Sequence, residues 1–359
     1  MNNKKELYKY VSLGPFRYLS PSVRSEMLCV FLLLLPQVFL LAFAGSVDSL
    51  IVLSAALIGS LLADVAERNF RNKNEFTWLY AVVRGIVIGF FLPSSYPPFG
   101  AFFLTFSVIL FDKIVLGGFA NSWVNPVAAV VSVCWLVGMR LFPSFALSID
   151  DLQVRNTSLL FIQNGTFPVL PLDARITNFL NEKLFSFFGV SIPDGYVSML
   201  WDTHSTIPAF RFNFLTILSS IVLISFNFTS SIIPMVFLSV YAVLVRFVSP
   251  FFYRGAMFQG DVLFAVLTSG ILFCTVFVMQ WRGTMPLTNR GKWLFGLIAG
   301  ISAFLIVGVG ESPVGCVFVV LFMNVASPLI QSVENHFEYK KVGTEIAAKV
   351  KSILEGENA

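Results

Sequence analysis

Apolar stretches of about 20 residues recur along this chain, and few charges interrupt them. A helix rises about 1.5 Å per residue, so a stretch of that length carries a chain across the roughly 30 Å hydrocarbon core of a bilayer. Lipid supplies no hydrogen bonds, so the spanning backbone must satisfy itself, and runs this long do so as α-helices. The composition agrees. Apolar residues make up 56% of the 359 and charged residues only 12%, against about 25% charged in a soluble domain. Too little polar surface remains to cover a globule, and the 40 phenylalanines suit a lipid-facing surface. A large buried soluble core does not account for the repeated spans.

About ten spans are expected, two of them short or interrupted. They fall near Met27–Ala44, Val47–Leu62, Thr77–Leu92, Phe99–Phe111 and Trp123–Met139, and then near Phe212–Phe226, Ile232–Val248, Asp261–Met279, Lys292–Val309 and Val314–Ile330. The fold class that follows is an all-α polytopic membrane protein, with two five-helix halves that include broken helices. The organisation is an N-terminal segment 1–26, a first transmembrane half 27–142, an outward loop 143–211, a second half 212–330 and a tail 331–359. The short fourth span reads as a helix broken at Gly117–Gly118. Pro36, Pro126, Pro234 and Pro328 should kink or start helices. The first apolar run has neither the early start nor the small-residue cleavage site of a signal peptide.

Basic residues cluster on alternate connections: Lys4, Lys5, Lys9, Arg17 and Arg24, then Arg68, Arg71 and Lys73, then Arg282, Arg290 and Lys292, then Lys340, Lys341, Lys349 and Lys351. With an even number of spans all fall on one side. The positive-inside rule then puts both termini in the cytoplasm. The net charge of +4 is a topology signal dispersed over membrane flanks, not a nucleic-acid footprint. Cys29, Cys134, Cys274 and Cys316 lie far apart inside apolar spans, without the spacing of a cluster-binding motif. His204 and His336 have no ligand-spaced partner, so no metal site is expected.

Two features inside the spans carry polar chemistry. Arg84 interrupts the third, where a mid-bilayer charge costs about 2.5–3.5 kcal/mol and calls for a partner. Asp64 and Glu67 on the preceding helix are candidates, as is a cofactor phosphate. The segment DKIVLGGFANSWVNP, residues 112–126, is a polar, glycine-bearing seam between apolar runs. Such a seam suits backbone that lines a buried cavity or meets a cofactor or partner. Lys113, at a helix end, either snorkels or takes part in such a site. A second seam near Asn324 and Pro328 stands in the corresponding part of the other half. Acidic residues deep in the spans are almost absent, which argues against a proton or sodium relay formed by this chain alone and leaves a path shared between subunits.

DKIVLGGFANSWVNPVAAV resembles the K-x-x-F-G-G-x-x-x-N-x-F-N-P-A segment of the RnfD/NqrB family, with Lys113, Gly117, Gly118, Asn121, Asn125 and Pro126 at matching positions. PLTNRGKWLFGLIAG and VGVGESPVGCVFVVLFMNVASPLI are similar to a second family pattern, carried by Thr288, Gly291, Pro313, Gly315, Met323, Asn324, Pro328 and Leu329. The resemblance implies a membrane subunit of a redox-driven ion-translocating electron transport complex, a translocase component rather than an enzyme alone, with sister subunits and membrane lipid as its partners. It also implies the cofactor FMN, esterified to a threonine of an S-G-A-T-P sequence in the outward loop. Here that loop reads Trp201-Asp202-Thr203-His204-Ser205-Thr206-Ile207-Pro208. Alignment on Pro208 puts Ile207 at the acceptor position and Thr206 one residue away. The family's acidic residue before the ninth helix is replaced by Trp281. The cofactor-binding residues implied are therefore Thr206, Lys113, Gly117, Gly118, Asn121, Asn125 and Asn324, with no residue singled out as catalytic. FMN is held covalently, held noncovalently or absent. A flavin-free structural paralogue of the complex and an independent solute permease are the alternative functions.

Overall fold

The computed structural model describes residues 22–71, 78–116, 124–143, 168–189, 191–253, 260–281, 283–308, 312 and 314–357. These residues form helices joined by short connections, with no strand among them. The first half holds α1 (Val23–Phe43), α2 (Val47–Arg71), α3 (Trp78–Phe91), α4 (Pro98–Val115) and α5 (Pro126–Val137). The long connection contributes α6 (Asp173–Lys183), a 3₁₀ turn and α7 (Tyr196–Trp201). The second half holds α8 (Asn213–Ser225), α9 (Ile232–Phe247), the short α10 (Ser249–Tyr253), α11 (Val262–Thr268), α12 (Ile271–Phe277), α13 (Asn289–Val307) and α14 (Gly315–Glu357). Each of the ten apolar spans coincides with one of these helices, except that the eighth is the pair α11 and α12. The protein is a polytopic, all-helical membrane protein.

Local chemistry starts the helices. Ser22, Asp261 and Thr288 cap α1, α11 and α13 by accepting a backbone N–H with a side-chain oxygen. Pro98 and Pro126 open α4 and α5 at the first position, where no N–H is needed. Pro36 and Pro328 instead lie inside continuous helices. The two seams therefore differ: Asn125–Pro126 begins a helix, whereas Asn324 and Pro328 stand within α14. The expected break at Gly117–Gly118 lies outside the described residues. A described break does occur in the eighth span at Gly270, whose φ of +68° suits a residue without a side chain. A Cβ there would come within 2.0 Å of the Phe210 ring, which fills the gap between α11 and α12.

The same helix pairings recur in the two halves. α1 packs on α3 as α8 packs on α12, α2 on α4 as α9 on α13, and α4 on α5 as α13 on α14. Within lipid, helices associate through close backbone approach at small residues. A Cβ on Gly85 or Gly89 of α3 would lie 2.8 or 2.7 Å from a Cα of α2. Gly296 and Gly300 of α13 meet Val236 and Val240 of α9 in the same manner. The halves meet where α1 packs on α8 and α5 on α14. Phe90 and Phe91 of α3 add ring contacts to Phe273 of α12.

Candidate functional site

A buried charge cluster joins α2, α3 and α4. Ser60, Asp64 and Glu67 lie on one face of α2, at spacings of four and three that stack side chains. Arg84 of α3, 1% exposed, ion-pairs with Asp64. Its Nε donates to Ser60 Oγ at 3.1 Å and an Nη donates to the Ser60 carbonyl at 3.3 Å. Lys113 Nζ of α4 lies 3.0 Å from Asp64 and 2.6 Å from Glu67. Burial weakens water's screening, so such pairs hold their geometry, and loss of one member strands the other. Asp112, beside Lys113, lies within electrostatic reach of Arg84, Lys113 and Glu67. Among the described residues its buried Oδ1 has no hydrogen-bond partner.

The cluster continues into the second half through aromatic rings. The Arg84 guanidinium lies 5.3 Å from the centre of the Tyr80 ring. Tyr80 accepts a 2.9 Å hydrogen bond from the indole N–H of Trp281, with the ring centres 5.4 Å apart. Tyr80 and Trp281 also line a narrow cleft, together with Glu26, Met27, Leu223 and Gln280. Trp281 is thus a buried link between the halves.

The site in the long connection is built differently. Asp202 takes two hydrogen bonds from Arg211, at 2.9 and 2.6 Å, and Arg211 donates a third to Ser46 at 2.7 Å. These bonds hold residues 202–211 against the turn between α1 and α2. The Thr206 carbonyl accepts from the Ser94 N–H at 3.0 Å, which pins the segment to the connection between α3 and α4. The Thr206 side chain is exposed, whereas Ile207 is wholly buried. Residue 207 has neither a hydroxyl nor access for a phosphoester. Thr206 has both, so an ester-linked FMN fits position 206 and not the aligned position 207.

The other implied residues separate. Lys113 is buried and ion-paired rather than snorkelled. Asn125 caps α5 by accepting from the N–H groups of Val127 and Ala128, at 3.0 and 3.2 Å. Its amide donates to the Val278 carbonyl at 2.8 Å, joining the start of α5 to the end of α12. Asn324 is buried, and its Nδ2 has no partner among the described residues. Gly117, Gly118 and Asn121 lie outside the described residues. The structure thus brings Lys113 into the charge cluster and leaves Thr206 in the separate site of the long connection. Sequence reasoning missed Asp112, Ser60 and the Tyr80–Trp281 link. Only Asp112 carried a signal, as an acid adjoining Lys113 at the end of an apolar run.

Comparison with known proteins bears on both sites. A subunit of the proton-translocating ferredoxin:NAD(+) oxidoreductase complex from Clostridium ljungdahlii is 26% identical over 333 residues, covering 91% of this chain and 94% of that protein. The corresponding component of an ion-translocating oxidoreductase complex from Buchnera aphidicola is 26% identical over 289 residues, covering 72% and 77%. Its counterpart in the Na(+)-translocating ferredoxin:NAD(+) oxidoreductase complex from Acetobacterium woodii is 22% identical over 331 residues, covering 91% and 93%. The model of the NQR2, RnfD, RnfE family matches residues 10–340, a stretch that holds the seam, the charge cluster, the long connection and α13 with the start of α14. By that match over most of its length, the chain belongs to the NQR2, RnfD, RnfE family.

Proposed function

We propose that this chain is the membrane subunit of a redox-driven, ion-translocating electron transport complex, carrying electrons through FMN on the loop side and contributing to ion transport with sister subunits. The observation that carries the reading is the pinned segment 202–211, which presents the Thr206 hydroxyl in a chain of this family. FMN supplies electron transfer; the chain supplies position and field. The Asp202–Arg211–Ser46 clamp fixes the loop, Ile207 and Phe210 anchor it in the core, and Thr206 is left accessible for the phosphate.

For the ion, the cluster at α2, α3 and α4 sets three carboxylates against two cations. Asp112 is the acid whose Oδ1 has no hydrogen-bond partner among the described residues, and in this reading it is the position where a proton or small cation adds. The chain still needs sister subunits to complete a path. Intact-mass measurement on the chain purified within its complex tests the flavin reading. One FMN increment, mapped to the peptide with Thr206 and lost in Thr206→Ala, is expected. An unmodified chain from a complex that holds flavin elsewhere leaves the flavin-free paralogue, the second reading, which the buried Ile207 favours.

A further inference from the structure

The outward connection contains a helix with an apolar face that nothing in the described chain covers. In α6, Leu172 at the N-cap, Ile176 and Phe179 recur at spacings of four and three, so they lie on one stripe. All three are exposed, Phe179 at 63%, and the following 3₁₀ turn exposes Phe187 at 88%. The opposite side is fastened to the protein. Asp173 accepts from the Gly195 N–H at 2.7 Å, from the Ser198 N–H at 2.6 Å, and from the Ser198 hydroxyl. Asn181 exchanges two 2.8 Å bonds with the backbone of Ile192.

The fastening also sets the height of the helix. Ser198 belongs to α7, whose Trp201 packs 6.0 Å from Phe214 in the first turn of α8, both residues being exposed. Tyr196 of α7 reaches Asp261, the cap of α11, at 3.4 Å. The helix is therefore held at the level where spanning helices end. Tryptophan and tyrosine collect at that level in membranes. Its charges point to the occupant. On helical geometry Lys183 falls within the apolar stripe, and Arg175 and Glu182, seven apart and so nearly on one line, share the edge beside it. Long basic side chains beside an apolar face can bury their stems and reach lipid phosphates, an arrangement suited to a bilayer surface.

We propose that α6 and the turn after it lie in the outer-leaflet interface as an amphipathic anchor. Leu172, Ile176, Phe179 and Phe187 enter the acyl boundary, and Arg175 and Lys183 meet anionic headgroups. The anchor holds the loop that carries Thr206 at a fixed height over the bundle, and it stands whether or not flavin is bound. The test places a nitroxide on Phe179→Cys, Phe187→Cys or Asn178→Cys, with Cys29→Ser as background, in the complete complex in vesicles of phosphatidylcholine and phosphatidylglycerol. Collision with oxygen and with a water-soluble nickel chelate is measured at each site. Labels at 179 and 187 are expected to meet oxygen readily and nickel poorly, and the label at 178 the reverse. Ready nickel access at 179 and 187 means that the face lies in water and overturns the proposal. Poor access to both reagents means a protein partner covers it and overturns it equally. Arg175→Gln with Lys183→Gln should raise nickel access at 179 in the same vesicles; no change removes the headgroup contacts from the proposal.

Discussion

Arg84 shows how much one side chain can require of its surroundings. It is wholly buried, so its charge is tolerable only because Asp64, Ser60 and the Tyr80 ring meet it. Removing one member of a buried pair costs about 3–5 kcal/mol because the other stays charged without a partner. Arg84→Met should therefore lower the thermal midpoint of the purified protein sharply, and adding Asp64→Asn should recover part of the loss. Asp112 differs, since among the described residues its Oδ1 has no hydrogen-bond partner to strand. Asp112→Asn should leave folding intact while reducing ion transport per electron in reconstituted complex; unchanged coupling would remove Asp112 from the ion path. Asp173 in the long connection gives a pH prediction. Burial pushes its carboxyl up, but hydrogen bonds from Ser198, Gly195 and Thr177 outweigh that and hold it below the ordinary range. Its contribution is fully present above the usual carboxylate value, about 3.9, and is lost as pH falls through the lower folded-state value. Limited proteolysis should show the loop opening in that acid window, and Asp173→Asn should open it at neutral pH.

Elements depend on where backbones touch. Gly89 allows α3 to meet α2, and Gly300 allows α13 to meet α9. A methyl at Gly89 must push against the backbone of Leu53, which cannot yield without separating the helices. At Gly100 of α4 the same methyl meets only Tyr96 and Pro97 at ordinary contact distance. Gly89→Ala should thus lower the thermal midpoint, whereas Gly100→Ala should hold or raise it, given a helix preference for alanine of up to about 1 kcal/mol. The sequence marks helix starts well, because caps and N1 prolines act over a few residues. It marks breaks poorly. The described break at Gly270 depends on Phe210, far earlier in the chain, filling the space.

At the scale of the molecule, polar contacts join two halves that lipid alone would not hold in register. Asn125 donates to Val278, Trp281 donates to Tyr80, and Gln37 reaches Thr216 at 3.4 Å. Asn125→Ala should cost about 0.5–2 kcal/mol for the cap alone, with a further loss for the stranded Val278 carbonyl. Asn125→Ser, which keeps a capping oxygen but is too short to reach Val278, should fall between it and the parent in thermal stability. The spans, their helical state and their order were legible in the sequence. Lipid is a uniform solvent that demands a fixed apolar length and internally satisfied backbone, and composition records both. The family motifs were legible too, as short runs of fixed spacing. Partners were not. Arg84 and Asp64 lie 20 positions apart, and Lys113 and Glu67 lie 46 apart; which acid each cation meets depends on the faces that helix packing turns together. Residue order alone sets out about ten apolar spans, and with them a polytopic membrane protein carrying polar seams. Packing of the helices against one another is what buries Lys113 in an ion cluster, makes Trp281 a link between the halves and leaves Thr206 exposed beside a buried Ile207. Those outcomes arise from contacts between residues distant in the chain, which local spacing does not encode.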